Sequence, residues 1–452
     1  MIPAFFEGIP RRLIEGFEQA GPAAIGFPAA INGHRLTSSQ YGDTLTDLGQ
    51  RGGEPLALYI HLPFCPVRCL YCACHTTVTH DFERIDRYLD ALEQELNLVL
   101  ERLGPGRELE QLHVGGGTPN YLSDSQLVRL MEMVAVRFRI SPKTSPCIEC
   151  NPRRTSASQL ELLHSLGFRG LSLGVQDLNP SVQHAIGRIN SPELVRDVCG
   201  SARDAGFLTI SLDLIYGLPK QTAASFMRTL EDVADIGPDR VRCYSYSHRP
   251  TTRPHQYAIE SSDLPTPEEK LALLHEAVAC FTDAGYQWIG VDWFARPGDE
   301  LALAQSAKRL RHNCLGYTGA PTQHLIAVGM SGLGEVNGAF VQNEPELEPW
   351  STAVQAGHLP VAWGHRLSEG DLRRRQALQH LMCNLELPIK LAEGLEEDYD
   401  RLCGCSEHGL VEIEPDCVRI TPKGRYFLRS LCSQHELSIA WNSNQWGVPQ
   451  IA

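Results

Sequence analysis

The chain has 452 residues, 42% hydrophobic and 21% charged, with a formal net charge of −14. That length suggests one large domain with appendages, and the acidic balance argues against a nucleic-acid-binding surface as the main business. Its fifteen cysteines are an odd number, no basic and apolar leader opens it, and no run approaches the roughly eighteen apolar residues of a membrane span; a reduced, cytoplasmic protein without a membrane span is expected.

In chain order, residues 1–50 mix glycines and prolines and read as an N-terminal arm packed on the main domain. The body, 51–365, alternates short β-rich apolar runs with longer segments of helical period. Strands are expected at 57–62, 110–114, 146–150, 170–175, 208–215, 240–246 and 287–291. Between the first two, Ile85, Tyr88, Leu89, Leu92, Leu96, Val99 and Leu100 form the stripe of an amphipathic helix. Ser123 with Gln126, and Ser156 with Gln159, read as capping boxes. Gly167 and Gly206 fall at helix ends, and Pro267 after Thr266 at a helix start. Repeated βα units imply a parallel sheet covered by helices, open or closed into a barrel. In that architecture the loops after the strands' C-terminal ends carry the chemistry.

From about residue 366 the pattern changes. Helices near 371–385 and 390–403 precede Gly409–Thr421, which alternates like a hairpin, and a helix follows from about 422. That order suggests a mostly helical, winged-helix-like C-terminal domain over 366–452. It reads as a lid or packing element, because basic residues do not cluster there. The tail containing Trp441 and Trp446 reads as a loosely docked terminus.

The first strand runs into Cys65-Pro-Val-Arg-Cys69-Leu-Tyr-Cys72-Ala-Cys74, four cysteines in ten residues. Thiolates this close on a loop suit a soft metal better than a disulfide. The C-x3-C-x2-C spacing matches neither the paired C-x2-C of a zinc ribbon nor a ferredoxin run. Three thiolates from one loop can hold three irons of a four-iron cluster and leave the fourth open for chemistry.

His113-Val-Gly-Gly-Gly-Thr-Pro119 ends the second strand. Its glycines mark either a close approach of backbone to a ligand or an ordinary βα turn. In the third strand, alternation puts Cys147 and Glu149 on one face and Cys150 on the other. The Cys147–Cys150 pair is therefore a poor chelate, and both read as structural. Glu149 and Asp213 are carboxylates in apolar strands, and each needs either a salt-bridge partner or a polar ligand. Gln176 and Arg188 follow the fourth strand and offer donors to a carboxylate or ribose.

With these residues assembled, the chain resembles the radical S-adenosylmethionine superfamily. More narrowly, it is similar to the oxygen-independent coproporphyrinogen III oxidases. The cluster loop with its extra Cys74, Leu173-Gly-Val-Gln-Asp177, Ile215-Tyr-Gly-Leu-Pro-Lys-Gln221, Phe294-Ala-Arg-Pro297 and Asp299-Glu-Leu-Ala302 carry the likeness, which runs from about residue 51 to 430. It implies an α/β fold: a partial (β/α)6-type barrel with an N-terminal arm and the C-terminal domain already described.

The resemblance also implies roles. Cys65, Cys69 and Cys72 would ligate one four-iron four-sulfur cluster, whose open iron would chelate S-adenosylmethionine. Tyr59, Tyr71 and Gly116 would line that cofactor's site, with Glu149, Gln176 and Arg188 reaching its polar groups. Gly117, Thr118, Asp213, Ser247 and Leu333 match positions that contact a second S-adenosylmethionine. Cys74 would lie nearby without being a ligand, as the one side-chain candidate for a part in the chemistry. No histidine is assigned a catalytic role, and His61, beside the cluster loop, reads as structural or as a support behind the site. In the family, a 5′-deoxyadenosyl radical takes hydrogen from the β-carbon of a propionate, and loss of carbon dioxide and an electron leaves a vinyl group. The implied partners are a tetrapyrrole substrate, a low-potential electron donor and an electron acceptor, with the protein acting as a monomer.

Two alternatives stand beside this reading. One is a related radical methyltransferase or haem-modifying enzyme; the other is a haem-binding carrier, against which Cys74 speaks. There is also one departure. Where the family carries Arg-Tyr-Thr-x-Tyr-Pro in its arm, this chain reads Gly21-Pro-Ala-Ala-Ile-Gly-Phe-Pro28. A substrate with four propionates wants cationic partners; Arg249, Arg253, Arg296 and Arg311 are candidate substitutes, whose ordinary reading is solvated surface.

Overall fold

Six strands pair in sequence order and all run parallel in the computed structural model, which describes residues 3–19, 36–141 and 143–434. They are β1 (Leu56–Leu62), β2 (Arg107–Gly116), β3 (Cys147–Cys150), β4 (Gly170–Gln176), β5 (Thr209–Tyr216) and β6 (Arg240–Ser245). The Gly21–Pro28 stretch and the Trp441–Trp446 tail lie outside the described residues. Parallel neighbours need long crossovers, and helices supply them. The first of these, Phe82–Leu103, buries Ile85, Tyr88, Leu89, Leu92, Leu96 and Val99 along the expected stripe, each such burial contributing about 1.5–3 kcal/mol.

Local signals set the helix ends. Ser123 and Gln126 exchange both bonds of a capping box, as do Thr266 and Glu269 ahead of Pro267. Ser156 caps its helix by accepting from the Gln159 N–H. The Gln159 amide reaches Asn120 O instead of completing the box. Gly206, at φ +99°, ends Pro192–Ala205 in the left-handed conformation.

Both edges of the sheet depart from the expected repeat. The seventh strand, 287–291, reduces to Gln287–Trp288, antiparallel to Trp293–Ala295, which in turn runs antiparallel to β6. Only four residues separate the two, too few for a parallel crossover. On the other edge, β7 (Leu325–Val328) adds in parallel to β1. The antiparallel strands β8 (Leu333–Val336), β9 (Ala339–Asn343) and β10 (Val361–Arg366) follow it. Among the described residues no ladder joins the two edges, so the sheet is an open, partial barrel.

Beyond β10 come the helices Glu369–Asn384 and Glu396–Gly404 and the hairpin Val411–Ile413/Cys417–Ile420, to which Glu386–Pro388 adds a third strand. This C-terminal module is fastened to the barrel's edge. Arg429 pairs with buried Asp292, and the Arg425 guanidinium lies 4.1 Å from the Trp288 ring centroid. Among the described residues no helix is long and apolar enough to cross a membrane.

Candidate metal and cofactor site

The C-terminal ends of β1 to β6 open on one cavity of about 410 Å³. The cysteine loop forms one wall. Its stem is closed by Phe64–Cys65 pairing with Thr77–Val78, so residues between them form a pinched excursion. Three successive carbonyls of that excursion are held from outside. Gln256 Nε2 donates to Tyr71 O at 3.0 Å, His255 Nε2 to Cys72 O at 2.6 Å and Arg253 Nε to Ala73 O at 2.8 Å. In a trans peptide, a carbonyl turned outward turns its N–H inward. The Cys74 N–H accordingly bonds the Cys72 sulfur.

Cys65, Cys69, Cys72 and Cys74 all line the cavity. Cys65 Sγ lies 3.2 Å from Thr118 Oγ1, and Arg188 Nη1 donates to Cys69 Sγ at 3.7 Å. Burial pushes the Cys65 thiol up to about 12, and the hydrogen bond with Cys74 leads the effects that hold Cys72 down at about 7. That same bond, with burial, drives Cys74 well above its ordinary value. A bound cation reverses the burial cost of a thiolate. No three of the four sulfurs lie within 4.8 Å of one another. On a single tetrahedral zinc, bonds of about 2.3 Å would bring thiolates to roughly 4 Å apart. The wider set fits a multi-iron cluster.

The glycine loop is shaped by protein neighbours. A Cβ on Gly115 would fall 2.8 Å from the Glu149 carboxylate, one on Gly116 would fall 2.7 Å from the His61 ring, and one on Gly117 would fall 2.7 Å from Pro63 backbone. Gly117 N donates to Leu62 O at 2.7 Å and Thr118 N to Phe64 O at 2.9 Å, joining this loop to the cysteine loop. Gly116, Gly117 and Thr118 then present their free edge to the cavity.

Both interior carboxylates have protein partners. Glu149 accepts from His113 Nε2 at 2.9 Å and from Gly116 N at 3.1 Å. Burial works against its charge, but the His113 bond and charge outweigh it and hold the carboxyl below its usual range. Burial likewise opposes charge on His113, yet its bonds to Cys147 and Glu149 raise it to about 10. Asp213 accepts from Arg242 Nε at 2.5 Å and Nη2 at 2.7 Å, and from Ser172 Oγ at 3.0 Å. Two adjacent ion pairs thus form an electrically balanced floor. Below it lies a second chamber of about 310 Å³, reached by His113, Ser172 and Arg242.

Arg188 is different. Its Nη2 donates to Gly174 O at 2.6 Å, but its buried Nε has no partner. An unpaired buried guanidinium N–H is costly, and a carboxylate in the cavity would satisfy it. Beside it, Gln176 adopts φ +72° at a β4 irregularity and lines the cavity. Tyr71 and Ser247 line it too, and Ser247 Oγ accepts from Arg249 Nε at 2.9 Å. The charge-balanced floor, the orphaned donor and the spread of thiols fit an iron–sulfur cluster with an amino-acid cofactor.

Two expected residues do not reach the cavity lining. Tyr59 is buried beneath it, its hydroxyl bonded to His61 Nδ1 at 3.0 Å, and so backs the site rather than lining it. Leu333 lies buried in β8, paired with Gln342 on the sheet's antiparallel extension. His61 is structural as read, its Nε2 meeting His75 O at 3.0 Å. Among the proposed substitute arginines, Arg249 bonds cavity-lining Ser247 and Arg253 the Ala73 carbonyl of the cysteine loop, though neither lines the cavity itself. Arg296 instead donates to Pro238 O and stacks on Tyr286, while Arg311 is exposed on a separate hairpin.

Sequence reasoning missed Arg242 and its partner Ser172, although a charge in the apolar run Val241–Ser245 was the signal that singled out Glu149 and Asp213. It also missed Arg68, Arg153 and Arg154 at the cavity mouth.

Comparison with known proteins agrees with this geometry. Residues 59–233 match the model of the radical SAM superfamily. The oxygen-independent coproporphyrinogen III oxidase of Escherichia coli K12 is 37% identical over 93% of both chains, and that of Synechocystis is 32% identical over 96% of both. The solved structure of the E. coli coproporphyrinogen III oxidase, described as a radical SAM enzyme, superposes with a TM-score of 0.85 at 36% identity, covering 89% of this chain and 94% of that one.

Proposed function

The chain belongs to the family of oxygen-independent coproporphyrinogen III oxidases, and from that premise we propose how its own residues serve the reaction. The activity is the oxidative decarboxylation of coproporphyrinogen III propionates to vinyl groups, a step of haem biosynthesis. The observation that carries the residue assignment is the gathering of the cysteine loop and the polar strand ends on a single cavity.

Cys65, Cys69 and Cys72 hold a four-iron four-sulfur cluster, and Arg253, His255 and Gln256 brace the loop from outside. When bound, the cluster and S-adenosylmethionine supply one-electron cleavage and the radical that takes hydrogen from the propionate. Arg188, with its unpaired Nε, binds the cofactor's carboxylate. Gln176 and Glu149 orient its remaining polar groups, and Tyr71 with Gly116 closes the wall. The buried Glu149–His113 and Asp213–Arg242 pairs fix the floor beneath the reacting atoms. An enclosed wall of this kind keeps water away from a reactive site.

Gly117, Thr118 and Ser247 line the same cavity and support a second S-adenosylmethionine; Leu333, away from it, gives that assignment no support. Asp213 enters it only as an acceptor already shared by Arg242 and Ser172. Cys74 lies beside Cys72 as the remaining thiol of the loop and is the one side-chain candidate for a part in the chemistry. A low-potential donor and an electron acceptor complete the partners of a monomeric, cytoplasmic enzyme.

The test is anaerobic reconstitution with iron, sulfide, reductant and S-adenosylmethionine. Coproporphyrinogen III is expected to become protoporphyrinogen IX, with 5′-deoxyadenosine formed in step. Deoxyadenosine without vinyl product would move the reading to a different radical reaction. Haem binding without cofactor cleavage would move it to a carrier.

A further inference from the structure

The cavity mouth carries charge that the cofactors do not call for. Arg153 and Arg154 follow β3 in the turn Pro152–Arg154, and Arg68 sits in the cysteine loop; all three are exposed and border the cavity. Arg154 lies over the Tyr121 ring at 4.7 Å, and Arg68 Nη2 donates to Thr76 O at 2.7 Å. Among the described residues none of the three meets a carboxylate. In a chain of net charge −14, unpaired arginines around one opening stand out.

S-adenosylmethionine brings a sulfonium and an ammonium against one carboxylate, so its net charge is positive and this rim repels it. Arg188 and the interior pairs already meet its polar groups. The substrate has the opposite charge: four carboxylates around a flat macrocycle. Val67, 64% exposed on the same rim, supplies an apolar contact for that macrocycle. The reaction converts two of the propionates and leaves the other two with their carboxylates. Guanidinium groups hold carboxylates with paired N–H donors.

We propose that Arg153 and Arg154, with Arg68 across the mouth, form the subsite that holds the propionates of coproporphyrinogen III that are not decarboxylated. The subsite rests on the family reading above and replaces the arm arginine that this chain lacks. Exposed ion pairs are individually weak and salt-sensitive, so the expected effects are moderate and read best in pairs.

Arg68 lies between cluster ligands, so the test uses Arg153→Gln/Arg154→Gln in the reconstituted full-length enzyme. KM for coproporphyrinogen III should rise about tenfold, with kcat changing by less than about twofold. The rise of KM with ionic strength seen in the parent enzyme should flatten in the variant. Because Arg154 also packs on Tyr121, Arg153→Gln alone provides a second variant, expected to raise KM about threefold. In the cluster-free full-length chain, fluorescence quenching by coproporphyrin III and its tetramethyl ester reads the same contact. The parent should favour the free acid, and the double variant should lose that preference. An unchanged KM and an unchanged acid-over-ester preference in a parent that makes vinyl product would overturn the subsite alone. A parent that neither binds coproporphyrin III nor makes vinyl product would overturn the family reading along with it.

Discussion

Two cysteine-bearing turns of this molecule differ in what their side chains have left to give. At the C-terminal hairpin, Glu414, Asp416 and Cys417 bring ligand atoms within 4.8 Å of one another. Two of the three are already engaged: Glu414 accepts from Arg419 at 2.9 and 3.0 Å, and Cys417 Sγ donates to Glu414 at 3.3 Å. The cysteine loop after β1 spreads its sulfurs more widely. Its carbonyls are anchored from outside, it borders a cavity, and a buried guanidinium N–H in that cavity has no partner. Proximity of ligand atoms therefore says less about a metal centre than scaffolding and unsatisfied donors do.

Removing one sulfur from each turn is the strongest way to break this contrast. Cys69→Ala is expected to reduce bound iron and turnover to background, while Cys417→Ala keeps the parent's iron content; iron and sulfide analysis checks both. Arg242→Leu comes next, since it strands Asp213 in the interior. Breaking a buried pair costs about 3–5 kcal/mol, measurable by denaturant unfolding, whereas Arg419→Leu at the exposed hairpin should leave the midpoint near that of the parent. Gln256→Leu tests the outer brace. Loss of a buried hydrogen bond costs about 1–3 kcal/mol, and amide exchange at residues 72–74 should quicken by about tenfold or more while the hairpin's stays the same.

The smallest effect concerns pH. His113 is raised to about 10 by Cys147 and Glu149 against the effect of burial, from an ordinary value near 6.5. A raised folded value means stability that is fully present below about pH 6.5 and lost as pH climbs through about 10. The stability gap between parent and His113→Gln should shrink over that window, followed by urea unfolding at several pH values. A gap that widens with pH would contradict the ion pair.

Much of the barrel was legible because each βα unit carries two periodicities, and β1 to β6 fall within a few residues of the expected strands. The edges were not. Leu325–Val328 is a four-residue apolar run, too short to assign by period, and 287–291 has a strand's composition but a hairpin's topology. At the site, Cys65, Cys69 and Cys72 were legible from spacing, and Glu149 and Asp213 from charge in apolar strands. What spacing did not reveal was pairing: Arg242 neutralises Asp213, and His113 neutralises Glu149. Arg153 and Arg154 carried no signal in the sequence, because only the turn after β3 brings them to the cavity mouth. Leu333 rested on the resemblance alone, and it is buried in β8 outside the cavity lining.

The central claim is that three loop thiols hold a cluster with one iron open to S-adenosylmethionine. The direct measurement is electron paramagnetic resonance of the reduced, reconstituted protein with and without that cofactor. A four-iron signal whose g-values shift when S-adenosylmethionine is added, and which Cys74→Ser retains, is the predicted result. A signal indifferent to the cofactor, or one lost in Cys74→Ser, would contradict it.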